Sequence, residues 1–311
     1  MTGQIPLAAL DAALGATILG QRAALLDVLT SLLARGHVLL EGVPGVAKTL
    51  IARTLAQALG LKSARVQFTP DLMPSDLLGT SVFRPNSGTF DWVRGPVFTQ
   101  LLVADEINRT APKTQAALLE CMEERQVTLD GITHLLDPAF FVVATQNPLE
   151  LEGTYPLPEA QLDRFLMRIR VGYPDEPSEV ALVQAFHERG GKAPQVTQVF
   201  HEGELAALVA VAAAARCDAS IIQYVVALVR HTRNNPKLRI GASPRAGQAL
   251  LSAAKARAAL NGHDYVTPDE VKSVAASVLN HRLILTAESE VEGVTADDVI
   301  GQALEQVQVP R

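Results

Sequence analysis

The sequence has few residues of the kinds that build disulfide, zinc or membrane-spanning proteins. Its 311 residues include only two cysteines, Cys121 and Cys217, and its seven histidines are scattered, so neither a disulfide scaffold nor a zinc-ligand spacing is present. The longest apolar run, over residues 205–215, is too short to cross a bilayer. The start of the chain shows no secretory pattern, and we expect a cytoplasmic protein.

The chain also lacks an excess of basic charge: its 27 Lys and Arg residues are outnumbered by 33 Asp and Glu residues, and the net charge is −6. A dedicated nucleic-acid-binding protein usually carries a basic footprint, so this balance argues against that class. Hydrophobic residues make up 48% of the chain and charged residues 19%, a composition typical of a globular protein with a large core. The length suggests roughly two domains.

The most informative segment is a glycine-bearing loop, GVPGVAKT, at residues 42–49. It follows the apolar strand-like run 37–40 and precedes a helix-like run, 50–59, that Gly60 is placed to cap. Strand, loop, Lys-Thr and helix in this order are the context of a phosphate-binding P-loop, whose backbone N–H groups wrap a phosphate. The alternative is an ordinary glycine-rich turn between a strand and a helix.

The last three residues of this loop decide how it would bind a nucleotide. Lys48 would reach the β- and γ-phosphates of a nucleotide, and the Thr49 hydroxyl would ligate Mg²⁺. Ala47 stands where a glycine is expected before the lysine. Its methyl group is tolerable if the residue keeps a negative φ, so we expect a negative φ at this position.

Polar side chains follow two further apolar strands. Asp105 and Glu106 come directly after residues 101–104, where Asp105 would hold Mg²⁺ and Glu106 would act as the base for an attacking water. Asn147 follows the next apolar strand and would bond a γ-phosphate or the water. The alternatives are a helix N-terminal charge for the acidic pair and a turn residue before Pro148 for Asn147.

Strand-like and helical segments alternate through the first half of the chain, which predicts an α/β fold with a parallel sheet covered on both sides. Residues 5–34 predict one or two helices, interrupted at 18–21, with leucines at helical spacing facing inward. The predicted strands are 38–41, 64–68, 101–105, 140–145 and 168–171.

Two inserts have the pattern of β-hairpins, at about residues 80–95 and at 126–136. The second contains Asp130-Gly131, which favours a two-residue type I′ turn. Both inserts could equally extend the main sheet. Trp92, the only tryptophan, lies in the first and would either contact a polypeptide or pack within the hairpin.

Strand signals stop after residues 172–177, where a proline pair indicates a domain joint. We therefore divide the chain into an α/β domain, 1–174, and an all-helical domain, 175–311. In the second, Ser243-Pro244 predicts the start of a helix running to 261–262, and Thr267 opens a capping box.

The order of these parts resembles the AAA+ ATPases and, within them, the MoxR family of the helix-2-insert clade. The segments that carry the resemblance are 42–49, 65–76, 95–98, 105–109, 144–148, 157–165 and 243–245. It extends from about Gly20 to Leu283, and Ala47 before the lysine also resembles the MoxR pattern. The resemblance implies an AAA+ P-loop core, with a central parallel five-stranded sheet between helices, and a C-terminal all-α lid.

Carried over residue by residue, the resemblance implies that Lys48 and Thr49 are the Walker A pair and that Asp105 and Glu106 are the Walker B pair. It further implies that Asn147 is sensor 1, Arg164 the arginine finger and Arg245 sensor 2. Arg109 is a second candidate for the finger. The alternatives are a salt bridge of Arg164 with Asp163 or a nearby acid, and an exposed first-turn arginine at Arg245. The residues expected at the nucleotide are Gly20, Gly42, Pro44, Gly45, Val46, Ala47, Lys48, Thr49, Leu50 and Asp105. The turn at 18–21 would lie near adenine or belong to the core.

The resemblance implies Mg²⁺-dependent ATP hydrolysis. Because the sheet edge lacks an obvious local arginine, we expect one supplied by a neighbouring subunit in a ring, which we expect to be a hexamer. Opposite charges in residues 219–263 and 264–311 would favour head-to-tail contacts.

The favoured function is chaperone-like remodelling of partner proteins, including proteins with von Willebrand factor A domains. The alternatives are the motor subunit of a metal-chelatase-like complex, a nucleic-acid-linked motor or transcription activator, and a nucleotide switch that does not hydrolyse ATP.

Overall fold

The computed structural model describes residues 7–15, 17–86, 88–148, 153–192, 194–201 and 203–310. Residues 1–6, Ala16, Ser87, 149–152, Ala193, Glu202 and Arg311, which the predicted helix, hairpin and domains include, lie outside the described residues. The chain forms two compact units. The first holds the described residues within 1–24, 39–164 and 170–202, and the second holds those within 25–38, 165–169 and 203–311.

The strands alternate with helices up to β9 and are short beyond it. In chain order they are β1 (His37–Glu41), β2 (Ser63–Gln67), β3 (Gly79–Arg84), β4 (Thr89–Arg94), β5 (Leu101–Asp105), β6 (Gln126–Leu129), β7 (Ile132–Leu135), β8 (Phe141–Gln146), β9 (Phe165–Arg170), β10 (Leu238–Ile240) and β11 (Ile284–Leu285).

The central sheet has five strands in the order β2-β5-β8-β1-β9, with parallel pairing of β2 with β5 and of β5 with β8. Every residue of β5 is buried, as its near-continuous apolar sequence predicts for a strand covered on both faces. The five predicted strands are confirmed. The last begins at Phe165 rather than Arg168, because the buried Phe165 and Met167 already belong to the sheet.

The helices alternate with the strands in the first half of the chain and dominate the second half. They are α1 (Leu7–Gly15), α2 (Arg22–Leu33), α3 (Lys48–Ala58), α4 (Pro74–Leu78), α5 (Pro112–Glu124), α6 (Glu159–Leu162), α7 (Glu176–Glu188), α8 (Glu204–Ala214), α9 (Ala219–Arg233), α10 (Pro244–Leu260), α11 (Pro268–Leu279), α12 (Ala287–Val291) and α13 (Ala296–Gln306). A 3₁₀ turn spans Ile107–Arg109.

The predicted helix ends are confirmed where capping residues mark them. Ser243 caps α10 by accepting a hydrogen bond from the Ala246 N–H at 3.3 Å, and Thr267 opens the capping box of α11. Gly60 follows α3 with a positive φ of 64°, as expected of a glycine at a helix end. Among the described helices, none is both long and apolar enough to span a bilayer.

Both predicted hairpins are present, and each is its own antiparallel two-stranded sheet, so the alternative that they extend the main sheet is wrong. Asp130 and Gly131 both have positive φ, 49° and 78°, as a type I′ turn requires. Trp92 is half-buried, and its ring centroid lies 4.0 Å from that of His134 on the second hairpin. Its position favours packing over an exposed contact role.

After β9 the regular elements of the described residues are helices, as predicted, apart from the short pairing of β10 with β11 that the sequence analysis missed. A buried ion pair joins Arg257 of α10 to Asp27 of α2, and Ser277 of α11 donates to the same carboxylate at 2.6 Å. These contacts tie three helices together through polar groups that satisfy one another, which removes the penalty of burying them unpaired.

Candidate nucleotide site

The loop at 42–49 leaves β1 and enters α3 at Lys48, which is the strand-to-helix path that a P-loop requires. A Cβ on Gly42 would stand 2.3 Å from the Val171 carbonyl oxygen, so only glycine fits at the start of this loop. The Gly42 N–H donates to the Gln146 carbonyl at 3.3 Å, which joins the loop to the end of β8. Gly45 has a φ of 89°. Pro44 and Gly45 are exposed, Val46 is buried and Leu50 is half-buried.

Ala47 adopts a left-handed conformation, with φ 65° and ψ 22°. The expectation of a negative φ is therefore wrong. The residue takes the backbone shape of the glycine it replaces, and this costs an L-amino acid roughly 1–2 kcal/mol. The Ala47 carbonyl accepts a hydrogen bond from the Ile51 N–H at 2.9 Å, as part of the first turn of α3.

The Lys48 ammonium points back into the loop. It donates to the carbonyl oxygen of Gly42 and to that of Val43, the latter at 3.1 Å. Lys48 thus lies over the concave side of the loop, where an anionic ligand would replace these carbonyls as its partner.

Asp105 is buried at the end of β5 and accepts hydrogen bonds from two threonines. Thr49 Oγ1 lies 2.9 Å from Oδ1 and 3.1 Å from Oδ2, and Thr145 Oγ1 lies 3.1 Å from Oδ1. The structure therefore brings the end of the P-loop and the end of β5 together. Thr145 is a contact that the sequence analysis missed, and its place one residue before the end of β8 is the signal that would have found it.

Glu106 also has a left-handed backbone, with φ 57°. Its N–H donates to Thr145 Oγ1 at 2.9 Å, which holds this unusual conformation. One oxygen of its side chain accepts two hydrogen bonds: Gln67 Nε2 donates to Oε2 at 2.6 Å, and Arg109 Nη1 donates to the same atom at 3.0 Å. The carboxylate is held beside Asp105 by residues of β2 and of the 3₁₀ turn.

Arg65 on β2 forms an ion pair with Asp105, with Nε 2.6 Å from Oδ2, and its Nη2 donates to Gln67 Oε1 at 3.1 Å. The expectation that this sheet edge lacks a local arginine is therefore wrong, because Arg65 and Arg109 both contact the acidic pair. The signal was present in the sequence: Arg65 and Gln67 are two apart on a strand, so they share a face next to β5.

The remaining predicted residues lie at several places. Asn147 is buried directly after β8, the strand between β5 and β1. Arg164 makes a salt bridge of 3.0 Å with Glu123 of α5, which is the nearby acid of the alternative interpretation. Arg245 is in the first turn of α10, in the second unit.

Gly20 lies in the turn between α1 and α2, in contact with residues that follow β9. With φ 74°, it leaves no room for a side chain, since a Cβ would lie 2.6 Å from the Pro174 Cβ. Neighbouring Gln21 donates to the Gly172 carbonyl at 2.8 Å, and Ile18 is buried. The apolar part of this turn therefore belongs to the core, as one of the two expectations had it.

The donor set suits Mg²⁺. Thr49 and Asp105 offer a hydroxyl and a carboxylate oxygen side by side, and Mg²⁺ prefers oxygen ligands from one or two protein groups completed by phosphates and water. Within the described ranges, no cluster of three or more His, Cys, Asp or Glu residues could form an all-protein metal cage.

Two family descriptions match the chain. Residues 37–167 match the ATPase family associated with various cellular activities (AAA), and residues 230–303 match the AAA lid domain. A crystal structure from Cytophaga hutchinsonii, of a protein assigned as a candidate ATPase, superposes with a TM-score of 0.90 at 40% identity and covers 98% of this chain and 94% of its own.

Similar sequences cover nearly the whole chain. Protein YeaC of Bacillus subtilis is 45% identical over 94% of this chain and 91% of its own. Chaperone MoxR1 of Mycobacterium tuberculosis is 43% identical over 94% of this chain and 80% of its own, and protein MoxR of Paracoccus denitrificans is 34% identical over 89% and 88%. With the nucleotide-site motifs in place and relatives of this identity along almost its full length, the chain belongs to the MoxR family of AAA+ ATPases.

Proposed function

We propose that this ATPase binds ATP with Mg²⁺ at the loop 42–49, hydrolyses it, and uses the energy to remodel partner proteins. One observation carries the proposal: the P-loop threonine Thr49 is hydrogen-bonded to Asp105, and Glu106 is held beside them by fixed donors. Phosphoryl transfer to water depends on positioned groups of this kind more than on covalent chemistry.

Each residue would have a separate task. Lys48 would exchange its carbonyl partners for the β- and γ-phosphates, and the loop N–H groups would wrap them. Thr49 and Asp105 would hold Mg²⁺, which neutralises phosphate charge when bound. Glu106 would take the proton of the attacking water, and Asn147 would orient that water or the γ-phosphate.

We propose that an arginine from a neighbouring subunit completes the ATP site, in a ring that we propose to be a hexamer. Arg164 is the candidate, and its bond to Glu123 would have to open or be shared. The local arginines Arg65 and Arg109 remove one reason to expect a trans arginine, so this part rests on the family pattern. Arg245 would bind the γ-phosphate from the lid.

The client role rests on a relative, since a protein 43% identical to this one bears the name chaperone MoxR1. We propose protein clients, including proteins with von Willebrand factor A domains, and a cytoplasmic location. The division into domains at 1–174 and 175–311 is kept as part of the same proposal. The exposed Phe83 and Phe90 at the first hairpin would be the apolar groups offered to a client.

The test is Glu106→Gln. An amide cannot accept the proton of the water, so this variant should bind ATP with near-wild-type affinity while turnover falls by roughly 10²-fold or more. Nucleotide binding and phosphate release, measured on the same preparation, separate the two effects. Lys48→Ala is the matched comparison and should lose binding itself. Continued hydrolysis by the glutamine variant would place the base elsewhere.

The same variant identifies the client. Held in its ATP-bound state, the Glu106→Gln protein should retain a partner that wild type releases after hydrolysis. A pull-down with ATP, compared with one containing Lys48→Ala, would show the partner in the first only. Equal recovery in both would mean that capture does not depend on the nucleotide.

A further inference from the structure

The contact between Arg65 and Asp105 has a consequence for metal binding. We propose that Arg65 is a positioning residue that serves as the counter-ion of Asp105 until a divalent cation binds, and then releases the carboxylate to that cation. This inference rests on the proposed function, since it concerns the cation that accompanies the nucleotide.

Asp105 accepts hydrogen bonds from two neutral groups and one charged group. The Thr49 hydroxyl lies 2.9 Å from Oδ1 and 3.1 Å from Oδ2, and the Thr145 hydroxyl donates to Oδ1 at 3.1 Å, so both threonines offer neutral donors. Oδ2 accepts from the Arg65 guanidinium at 2.6 Å, a charge-assisted bond and the strongest contact at this carboxylate. A buried carboxylate needs such a cation, because leaving it without a counter-ion is costly.

The two partners differ in their freedom to move. The Asp105 side chain is only 5% exposed, whereas 59% of the Arg65 side chain is exposed. The guanidinium can therefore turn into solvent while the carboxylate stays in place. A divalent cation held by Asp105 would need the negative charge that Arg65 now balances, so Arg65 and the cation would compete for this carboxylate.

Arg65 also links the carboxylate to the residue that would serve as base. Its Nη2 donates to Gln67 Oε1 at 3.1 Å, and Gln67 Nε2 donates to Glu106 Oε2 at 2.6 Å. When Arg65 leaves Asp105, Gln67 loses the hydrogen bond that orients its amide. Its own hydrogen bond to Glu106 is then less firmly positioned. Cation binding at one carboxylate is thereby transmitted to the other.

The experiment is a Mg²⁺ titration of Arg65→Gln with a fluorescent ADP analogue at fixed concentration. Without the competing guanidinium, the Mg²⁺ concentration at half-maximal binding should fall by roughly two- to tenfold relative to wild type, the range expected for loss of a half-exposed ion pair. Affinity for the analogue in excess chelator should stay unchanged. An unchanged or higher Mg²⁺ midpoint would overturn the proposal.

Two further variants separate competition from damage to the fold. Arg65→Lys keeps a cation beside Asp105, so its Mg²⁺ midpoint should stay within about twofold of wild type, although it cannot donate to Asp105 and Gln67 in the fixed fork of an arginine. A midpoint lowered as far as in Arg65→Gln would contradict competition by charge. If Arg65→Gln does not fold, Arg65→Met, which also removes the charge, takes its place with the same expected fall in the Mg²⁺ midpoint and the same contradicting result.

Arg84→Gln is the matched control, because Arg84 makes an exposed ion pair with Asp91 on the first hairpin. Its Mg²⁺ midpoint should equal that of wild type. Loss of the proposed function itself has a different signature: wild type would then bind the analogue in neither condition. Disruption of the site by Arg65→Gln would raise the midpoint and weaken binding in chelator, which is the opposite of the expected direction.

Discussion

Ala47 carries a side chain in a backbone conformation that usually selects glycine. Its φ of 65° costs roughly 1–2 kcal/mol for an L-residue, while glycine would cost about 0.5–1 kcal/mol in unfolded-chain entropy. Ala47→Gly should therefore stabilise the protein by about 0.5–1 kcal/mol, measured by urea unfolding. The matched control is Ala52→Gly in the interior of α3, which should destabilise it by about 1 kcal/mol or more. Destabilisation by both changes would show that Ala47 is not strained.

The positive φ of Ala47 could not be read from the sequence. A P-loop pattern identifies which residue follows which, and it correctly predicted a strand, a loop and a helix around Lys48. Whether an alanine would bend the loop or accept its strain depends on what holds the loop ends. The Gly42 N–H is bonded to the Gln146 carbonyl at one end of the loop and α3 begins at Lys48 at the other, and between them Ala47 takes the left-handed conformation.

The partners of the acidic pair were hidden for a similar reason. Asp105 and Glu106 were visible as two carboxylates after a buried strand. Arg65 and Gln67 lie far away in the sequence, and they meet the carboxylates only because β2 pairs with β5 in register, Gln67 opposite Asp105. Strand order and register are decided by the packing of the whole sheet, which a single sequence does not reveal.

At the level of elements, the predictions that succeeded had a local physical cause. Asp130-Gly131 fixes its turn by allowing positive φ at both residues, and Thr267 fixes the start of α11 by bonding N–H groups that the helix leaves free. The pairing of β10 with β11 was missed because segments of three and two residues show no alternation. A pairing this short is held by its surroundings.

The contribution of the α11 cap to the free energy of unfolding can be measured through Glu270. Burial raises its pKa, but hydrogen bonds, foremost from Thr267 and then from Asn261, outweigh burial and lower the pKa to about 2. A carboxyl with a lowered folded pKa stabilises the protein above its ordinary pKa of 4.5, and this contribution is lost as pH falls toward 2. The ionised side chain should contribute about 2–3 kcal/mol at neutral pH.

Glu270→Gln should therefore lower the free energy of unfolding by about 2–3 kcal/mol at pH 7, measured by urea unfolding. The difference from wild type should shrink as the pH is lowered from 5 toward 2, because the unfolded chain binds a proton at Glu270 below pH 4.5 while the folded protein keeps its carboxylate down to about pH 2. Asp269→Asn is the control: this exposed first-turn acid should change stability by about 0.5 kcal/mol or less. A deficit that stays constant with pH would mean that packing, not charge, is responsible.

At the scale of the whole molecule, the proposed ring needs one arginine that acts between subunits, and two candidates are available. Within the subunit, Arg164 is bonded to Glu123 and Arg109 to Glu106. Arg109 already serves the local carboxylate, so its loss should act on its own site. Arg164 lies on the short turn between α6 and β9, and its partner Glu123 is on α5. We therefore keep Arg164 as the proposed trans arginine.

A mixing experiment decides between them. Lys48→Ala lacks nucleotide binding but keeps Arg164, and Arg164→Ala has the reverse defect. In rings assembled at random from equal amounts, about one quarter of the interfaces would pair an intact site with an intact arginine, so roughly a quarter of wild-type hydrolysis should return. Mixing Lys48→Ala with Arg109→Ala should restore nothing, because Arg109 acts within its own subunit. Recovery in the second mixture alone would reassign the finger to Arg109, and recovery in neither would mean that each subunit hydrolyses ATP with its own residues.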